Sequence, residues 1–483
     1  MADLLHDALG VVNVGLEIFA DSVTQAGVPL AQIDWRPPGD GDPKLAWVLA
    51  QLAGDADDPD APGSRVDRAN QIAIQRLLEA QPVLADVALR AAEIWPELWA
   101  NGRRTLTHAG APIPWARMCD PMRGTLIGAM LYEGWAESPE EAAGRLARGE
   151  VAFLPNHDLA AVAPMSGVIS PSMPLFVVQD IAHGNRAYTN FSEGIGRVLR
   201  FGAYGPEVIE RLRWIAAVLA PAIKAALAGI PRGVDLKAIQ SQALLMGDEV
   251  HSRNAAATAL FHMAIGGALA GGAFDRARAR AALDFIAHTS QFFLNLSMAA
   301  SKATMDAAHG VDGASIVTAI TRNGVTTAIR VSGLGPRWFE APSDTPLGLY
   351  FPGYRQEDAN ADLGDSAICE TAGYGGQALA ASPALVQLVG GSVAQAIGFS
   401  REMYHIACAR NPVMSLPNLD FAGAPAGIDI RKVVDTGIRP VLTTGIAHRQ
   451  AGIGQIGAGI VRVPMACFTP ATLALAEALG ISG

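Results

Sequence analysis

The N-terminal residues alternate two short apolar runs with one segment of helical spacing. Residues 11–16 and 30–35 are apolar runs of strand length, and residues 18–25 between them repeat apolar side chains at helical spacing. A turn at Ala26-Gly27 and the breakers Arg36-Pro-Pro-Gly39 bound these segments. The pattern predicts a compact β-α-β unit.

The rest of the first 205 residues mixes helical patterns with loops rich in glycine, proline and methionine. Residues 53–64 are acidic and contain proline and glycine, which indicates an exposed loop. Helices are predicted over residues 68–80, 122–133 and 139–148. Pro82 is expected to open another helix, because proline is favoured in the first helical turn.

Residues 206–308 have a different pattern, with long runs of alanine and leucine at helical spacing. Breaks occur at Ile230-Pro-Arg-Gly233 and at Gly271-Gly272. The spacing predicts a mostly helical region of four or five helices.

The pattern changes again after Gly310. The β-branched runs 316–320 and 326–331 flank Asn323-Gly324, a strong signal for a β-hairpin. A helix over residues 383–397 and a strand over residues 441–444 are predicted further on, among glycine-rich loops.

Together these patterns predict an α+β, or mixed α/β, fold in three parts. An N-terminal α/β domain with the opening β-α-β unit is expected over residues 1–205. A mostly helical domain is expected over residues 206–309, and a C-terminal mixed α/β domain with glycine-rich loops over residues 310–483.

The composition excludes several classes of protein. With 483 residues, of which 50% are hydrophobic and 17% charged, the chain is expected to form two or three apolar cores. The formal net charge of -10 disfavours a nucleic-acid partner, since binding to a phosphate backbone needs concentrated lysine and arginine. The apolar stretches 255–273 and 385–399 are interrupted by polar residues, so they predict buried helices and no membrane span.

The N-terminal residues and the cysteines favour a cytoplasmic protein. We expect no export signal, because no basic start is followed by an apolar run and a small-residue cleavage site. Cys119, Cys369, Cys408 and Cys467 lie far apart without a CxxC pair. Neither a zinc knuckle nor a disulfide framework is therefore expected.

Residues 246–254, Met-Gly-Asp-Glu-Val-His-Ser-Arg-Asn, concentrate polar side chains in a weakly charged chain. If the segment is helical, Asp248 and His251 lie three positions apart on one face, and Glu249 and Arg253 lie four apart. One interpretation is a metal half-site, although no second motif completes it. Another is an acid/base and anion site in which Arg253 binds a carboxylate, His251 moves a proton and Asp248 orients the ring. A solvated face with an ordinary Glu–Arg pair is the third.

Residues 452–459, Gly-Ile-Gly-Gln-Ile-Gly-Ala-Gly, contain the GxGxxG spacing after a predicted strand. The backbone N–H groups around Gly452, Gly454, Gly457 and Gly459 could bind a phosphate or carboxylate, with His448 shortly before them. A dinucleotide site is disfavoured, because seven residues separate the strand from the glycines and the sequence ends too soon for an acidic ribose ligand about 20 residues further on to complete a βαβ unit. Close backbone packing is the alternative.

Other polar positions are also candidates for a site. His108 lies at a predicted strand-to-loop transition, where reactive side chains often project. Asn185, Arg186 and Arg123 could bind anions. Each is also explained by an ordinary structural role, and a serine nucleophile is disfavoured because no Gly-x-Ser-x-Gly elbow occurs.

Short blocks of characteristic sequence run from about residue 11 to residue 468. They include Arg68-Ala-Asn-Gln71, Arg117-Met-Cys-Asp-Pro-Met-Arg-Gly124, Met165-Ser-Gly-Val-Ile-Ser-Pro-Ser-Met-Pro174, Gly184-Asn-Arg-Ala-Tyr188, residues 246–254, Asn418-Leu-Asp-Phe421 and Gly427-Ile-Asp-Ile-Arg-Lys432. In these blocks the chain resembles the YlbE-like family, which includes the AllG-type subunit of oxamate carbamoyltransferase.

The resemblance implies a multi-subunit enzyme of allantoin catabolism. Such an enzyme uses phosphate to split oxalurate into oxamate and carbamoyl phosphate, or runs the reverse reaction. The implied partners are an FdrA-like, acyl-CoA-synthetase-like subunit and a smaller third subunit, and self-association is left open. The implied fold is mixed α and β with an inserted helical domain, and no cofactor is implied.

Carbamoyl transfer needs cations for a phosphate and a carboxylate, donors for a developing oxyanion and a proton shuttle. The catalytic candidates are therefore His251, Asp248 and His108. The candidates for binding a small anionic substrate are Arg253, Asn254, Arg186, Asn185, Arg123, His448, Gly452, Gly454, Gly457 and Gly459. Two other functions are kept open, a non-catalytic scaffold for the FdrA-like subunit and an amidohydrolase acting on a related ureido or cyclic amide substrate.

Overall fold

A computed structural model describes residues 10–15, 17–33, 37–272 and 274–481 of the chain. Over these residues it contains strands β1 Val11–Val14, β2 Leu30–Ile33, β3 Pro82–Ala88, β4 Thr105–His108, β5 Ala152–Pro155, β6 Ala161–Val162, β7 Leu175–Asp180, β8 Arg186–Asn190, β9 Val234–Asp235, β10 Val317–Asn323, β11 Thr326–Val331, β12 Phe339–Pro342, β13 Leu347–Tyr350, β14 Leu363–Gly364, β15 Ala407–Leu416, β16 Ala422–Ile428, β17 Val441–Ala447 and β18 Gln455–Arg462.

The helices are α1 Glu17–Gln25, α2 Pro43–Gln51, α3 Pro62–Glu79, α4 Asp120–Tyr132, α5 Pro139–Ala147, α6 Pro206–Trp214, α7 Ala220–Ala228, α8 Leu236–Leu245, α9 Ala255–Gly271, α10 Arg276–Ala287, α11 Phe293–Ala307, α12 Ile368–Thr371, α13 Val386–Val389, α14 Val393–Met403, α15 Ile430–Thr436 and α16 Met465–Ala478. A π-helical turn, Ile215–Leu219, joins α6 to α7.

The strands form several small sheets. The largest has the order β6-β8-β7-β3-β9, in which only the β6–β8 pair is parallel. A four-stranded sheet, β12-β11-β10-β14, and a three-stranded sheet, β13-β18-β17, lie in the C-terminal part of the chain. The mixture of helices with mostly antiparallel sheets confirms the predicted α+β class.

The largest apolar core is built around α11. This helix is buried along most of its length and packs against β7 and β8 on one side and α12 on another. Phe176 of β7 stacks on Phe191 with ring centroids 3.9 Å apart, and Phe292 meets Phe176 edge-on. The same cluster of buried side chains extends from Ala69 to Ala426.

One apolar core thus draws on residues from all three predicted parts. In addition, β9 lies within the predicted helical domain but pairs with β3 of the N-terminal part. The three-part division of the chain stays a prediction.

Several predicted elements are confirmed. The opening β-α-β unit has parallel strands β1 and β2 around α1, although the predicted continuation to Trp35 lies outside the described residues. The hairpin is present as antiparallel β10 and β11, with Gly324 in the turn at a φ of 76°. Residues 206–308 are mostly helical.

Two predicted helices are wrong. Pro82 opens β3, because proline is tolerated at the first position of a strand, where its missing N–H breaks no ladder bond. The helix predicted over residues 383–397 is broken between α13 and α14 by Gly390 and Gly391, which adopt φ values of 73° and 138°. Within the described ranges, no helix combines the length and the apolar character needed to cross a membrane.

Candidate functional site

Residues 246–254 form a loop between α8 and α9, so the predicted helical spacing within them is wrong. The acidic side chains of the loop bond to its backbone, which competes with helix formation. The Glu249 carboxylate accepts the N–H groups of His251 at 2.5 Å and Ser252 at 2.6 Å. Val250, between Glu249 and His251, adopts a φ of 65°, which a β-branched residue rarely does.

The Glu249 carboxyl group that holds this loop is fully buried. Burial raises the pKa of Glu249 to about 7, even though the nearby His251 opposes the shift. Thr443 of β17 also donates its hydroxyl to Glu249 Oε1 at 3.2 Å. A group that titrates near neutrality therefore lies beside the imidazole.

The His251 ring is oriented by Glu370 of α12. His251 Nδ1 lies 2.7 Å from Glu370 Oε1, and both side chains are buried. The same oxygen accepts the N–H groups of Thr443 at 2.9 Å and Gly376 at 3.1 Å. The prediction that Asp248 orients His251 is wrong, because Asp248 accepts the N–H of Ala257 at 2.9 Å and so stabilises the start of α9.

Burial lowers the pKa of His251, but the charge and hydrogen bond of Glu370 outweigh it, so the pKa is raised above its ordinary value. The imidazole is therefore held in its protonated form to higher pH than a free histidine. Glu370 Oε2 is buried and has no hydrogen-bond partner within the described ranges.

The other two predicted residues of the loop have structural partners. Arg253 Nη1 lies 3.1 Å from Asp248 Oδ1 and 3.2 Å from the Gly247 carbonyl oxygen, with about a third of its side chain exposed. Asn254 Nδ2 donates to the His251 carbonyl oxygen at 2.5 Å and to Gln291 Oε1 at 3.2 Å. Arg253 and Asn254 thus brace the loop that carries His251.

His251 lies on the wall of a cavity of about 150 Å³. The cavity is lined by Pro164, Met165, Arg200, Phe201, His251, Ser252, Gln291, Leu294, Phe351, Ser366, Leu385, Gly445, Gln455 and Ala458. These residues come from all three predicted parts of the chain. A mostly apolar lining with a few convergent polar groups is typical of a small-molecule site.

Arg200 is the cation of this cavity. Its side chain is buried, its Nη2 donates to the Gly194 carbonyl oxygen at 3.1 Å, and its guanidinium lies over the Phe201 ring at 5.6 Å. No carboxylate lies within ion-pair distance of Arg200 in the part of the chain that the structure describes. The Glu193 carboxylate accepts the backbone N–H of Arg200 at 3.1 Å, and its charge interacts with the guanidinium from beyond ion-pair distance.

A second, fully buried cation lies behind the cavity. Arg322 Nε is 2.7 Å from Asp362 Oδ2, and Arg322 Nη1 donates to the Gly364 carbonyl oxygen at 2.7 Å. Thr444 donates its hydroxyl to Asp362 Oδ1 at 2.9 Å. Because this guanidinium is already paired, we interpret it as structural.

Asp365 links three residues of the predicted N-terminal domain to Thr321 of β10. Its carboxylate accepts the N–H groups of Gly110 at 2.9 Å and Ala163 at 3.0 Å, together with Asn156 Nδ2 at 2.8 Å and the Thr321 hydroxyl at 2.6 Å. Burial raises the pKa of Asp365, and these donors oppose the shift.

The remaining candidate side chains lie away from the cavity wall. His108 is buried at the end of β4, with Nδ1 2.9 Å from the Ala109 carbonyl oxygen, and burial lowers its pKa. Arg186 is exposed on β8, and Asn185 Nδ2 donates to the Ala303 carbonyl oxygen at 2.8 Å. Arg123 lies over the Trp115 ring at 5.6 Å. Their predicted roles in a site stay predictions.

Gly457 and Gly459 lie within strand β18, so the loop expected there is shorter than predicted. A Cβ at Gly457 would lie 2.3 Å from the Leu349 carbonyl oxygen, and one at Gly459 would lie 2.6 Å from that of Leu347. Gly452 and Gly454 are in the preceding turn, where His448 donates its backbone N–H to the Gly454 carbonyl oxygen at 3.0 Å. The approach of β13 therefore accounts for the two strand glycines.

Metal binding and thiol chemistry each need particular side chains. No group of three or more potential ligands that could hold a metal ion occurs within the described ranges. Burial raises the pKa of the Cys119 thiol to about 11, which disfavours a thiolate nucleophile.

The residues missed by sequence reasoning are Glu370, Thr443 and Arg200. Glu370 stands in Asp362-Leu-Gly-Asp-Ser-Ala-Ile-Cys-Glu370, a run with three acids in apolar surroundings, and this density of charge was an available signal. Arg200 and Thr443 stand in ordinary sequence, and only the tertiary structure brings them to the site.

Comparisons with known proteins find similar sequences. A family model described as "Oxamate carbamoyltransferase subunit AllG" matches residues 151–366. The oxamate carbamoyltransferase subunit AllG of Escherichia coli (strain K12) is 50% identical over 417 residues, which cover 86% of this chain and 99% of that protein. The uncharacterized protein YahG of the same organism is 42% identical over 478 residues, covering 99% of each chain.

A solved structure is also similar. The crystal structure of a conserved protein of unknown function from Enterococcus faecalis V583 superposes with a TM-score of 0.83 at 40% sequence identity. The match covers 86% of this chain and 99% of that chain.

Proposed function

Because the chain belongs to the AllG family of oxamate carbamoyltransferase subunits, we propose that it is a subunit of an enzyme that transfers a carbamoyl group between an amide nitrogen and phosphate. The substrates proposed are oxalurate and phosphate, and the products are oxamate and carbamoyl phosphate. We place this reaction in the nitrogen catabolism of allantoin and in the cytoplasm. An FdrA-like subunit and a smaller third subunit complete the proposed assembly.

The observation that carries the proposal is the His251–Glu370 pair on the wall of a cavity that also contains the buried Arg200 guanidinium. A phosphate oxygen attacks the ureido carbonyl carbon, and the bond from that carbon to the oxamyl nitrogen breaks. The leaving nitrogen must take up a proton. With Nδ1 engaged by Glu370, His251 Nε2 is the ring nitrogen that can deliver it.

The raised pKa of His251 suits this role, because the imidazole must carry a proton before it can donate one. Glu370 stabilises the imidazolium and fixes its orientation, as a buried carboxylate beside a histidine does in other enzymes. In the reverse direction the neutral imidazole accepts a proton from the oxamate nitrogen.

Arg200 is proposed to hold the planar carboxylate of the substrate. A guanidinium presents paired N–H donors that match a carboxylate. Glu193 interacts with the charge of Arg200, but the guanidinium makes no direct ion pair within the described ranges, so its donors remain available to a substrate. The contact between the substrate carboxylate and the guanidinium is stronger in a mostly apolar cavity than in water.

The test is carbamoyl phosphate formation from oxalurate and phosphate. The purified chain is compared with the chain co-expressed with its FdrA-like and third subunits, each with and without phosphate. Phosphate-dependent formation in the assembly supports the proposal. Oxalurate cleavage without phosphate identifies an amidohydrolase, and activity that survives His251→Ala in the assembly identifies a scaffold; either result overturns the proposal.

A further inference from the structure

A deep groove lies between strand β13 and helix α14. It encloses about 790 Å³ and is lined by Asp344, Thr345, Leu347, Gly348, Gln356, Val389, Gly390, Gly391, Gln395, Phe399, Arg439, Ile460, Val461 and Arg462. The groove is several times larger than the cavity that holds His251.

The strand that forms one wall of the groove exposes apolar side chains. Leu347 is 66% exposed, Leu349 is 48% exposed and Phe351, which follows the strand, is 43% exposed. Residues two apart on a strand project from the same face, so these three form one apolar row. A row of this kind marks an interaction surface, because soluble proteins normally cover it.

The same strand has a free edge. β13 pairs with β18 on one side and has no strand on the other within the described ranges. Phe351 donates its N–H to the Ile456 carbonyl oxygen at 2.7 Å, so the alternation of an antiparallel ladder points the N–H groups of Gly348 and Tyr350 away from β18. An extended segment can pair with such an edge.

The groove also holds two charges that lack ion-pair partners in the part of the chain that the structure describes. They are the guanidinium of Arg439 and the carboxylate of Asp344. Arg462, in contrast, is paired with Glu402 at 2.6 Å. A complementary segment would therefore carry one acidic and one basic side chain between its apolar residues.

The groove adjoins the cavity that holds His251. Ala458 lines the cavity and Ile460, two positions along β18 on the same face, lines the groove. Phe351 lines the cavity and is also part of the exposed apolar row. A segment that covers this row would cover one side of the cavity as well.

We propose that the groove between β13 and α14 docks another subunit of the carbamoyltransferase, which adds an extended segment to the free edge of β13. The segment places alternate apolar side chains against Leu347 and Leu349, an acidic side chain at Arg439 and a basic one at Asp344. It closes one side of the cavity beside Phe351. This inference rests on the proposed function, since it requires a partner subunit.

The test measures assembly and not turnover. The chain is co-expressed with the FdrA-like and third subunits, and the amount of each subunit that co-purifies is determined for the wild type, Leu347→Asp and Arg439→Glu. Ile181→Asp is the matched control, because Ile181 is 62% exposed and lies outside the groove. Both groove variants are expected to weaken assembly about tenfold or more, as loss of an interface hot spot does, while the control assembles normally.

A second measurement uses hydrogen exchange of the wild-type complex. The amides of Gly348 and Tyr350 are expected to exchange more slowly in the assembly than in the isolated chain. Normal assembly of both groove variants, or unchanged exchange at these amides, overturns the docking site and leaves the proposed function standing. A wild-type chain that binds neither subunit and has no transferase activity overturns both proposals. Loss of self-association in the groove variants would assign the groove to a second copy of the chain instead.

Discussion

His251 Nδ1 and Glu370 Oε1 meet at 2.7 Å across 119 positions of sequence. The same distance separates His183 Nδ1 from Asp180 Oδ2, only three residues apart and partly exposed. The two pairs have the same contact but different surroundings. Only the first is fully buried and faces a cavity, where a charge interacts more strongly than it does beside water.

Loss of the His251–Glu370 pair is expected to remove most of the transferase activity. A positioned proton donor contributes about 10²- to 10⁴-fold, so His251→Ala should lower kcat of the assembly by that range. Glu370→Gln should lower it less, because the imidazole remains but loses its counter-charge. His183→Gln is the control, and a fall in activity of equal size in that variant would contradict the assignment.

The pH dependence of the reaction should follow the raised pKa of His251. If the protonated ring donates to the leaving nitrogen, kcat/KM for oxalurate cleavage falls as pH rises through a pKa above the ordinary value of 6.5. Glu370→Gln removes the partner that raises this pKa, and burial then lowers it. The falling limb should therefore move to lower pH in Glu370→Gln, and an unmoved limb would exclude His251 as the acid.

The contribution of His251 to the stability of the fold should also fall as pH rises. A folded-state pKa above the unfolded value means that the protonated imidazole stabilises the folded protein. The contribution of His251 is complete below the unfolded pKa of about 6.5 and is lost as pH rises through the folded pKa. The difference in Tm between the wild type and His251→Gln should therefore shrink with rising pH. A difference that grows above neutrality would contradict the raised pKa.

Arg200→Met should weaken oxamate binding while leaving the chain folded. A hydrogen bond to a charged group contributes about 1.5 to 3 kcal/mol, which corresponds to roughly a 10- to 150-fold change in Kd measured by calorimetry. Arg330→Met is the control for loss of a mostly buried guanidinium, because Arg330 pairs with Asp158 and lies over Trp338. Weaker binding in Arg253→Met, and not in Arg200→Met, would favour the earlier assignment from sequence.

Gly457→Ala should destabilise the sheet that contains β18. The added Cβ would lie 2.3 Å from the Leu349 carbonyl oxygen, and overpacking of this kind costs about 1–3 kcal/mol in the free energy of unfolding. Gly398→Ala in α14 meets open space and should stabilise the protein by about 0.4–1 kcal/mol. If Gly457→Ala kept its stability but lost phosphate binding, that result would favour the predicted anion-binding role of these glycines.

The sequence predicts correctly those elements whose residues are close together along the chain. The β-α-β unit and the hairpin at Asn323-Gly324 depend on apolar runs and turn residues that are adjacent in sequence. Pro82 was misassigned because proline is compatible with the first position of a helix and of a strand, and the strand's neighbours β7 and β9 are distant in sequence.

The candidate site was predicted only in part for the same reason. The polarity of residues 246–254 identifies His251 as a candidate. Its partner Glu370, however, lies in α12, and Arg200, the cation of the cavity, lies in the segment before α6. Arg253 was an attractive anion ligand in sequence because Asp248, which neutralises it, was expected to face His251 instead.

The segment from Asp362 to Glu370 has a consequence for the synthesis of the protein. Its three acids contact Arg322, Asn156 and His251, and the cavity wall further requires Gly445 and Ala458. A nascent chain that has not yet been extended past these last residues cannot assemble the cavity, whatever its earlier parts have folded into. Translation products that end before Ala458 would thus lack the complete pocket, so the site exists only after synthesis has passed this residue.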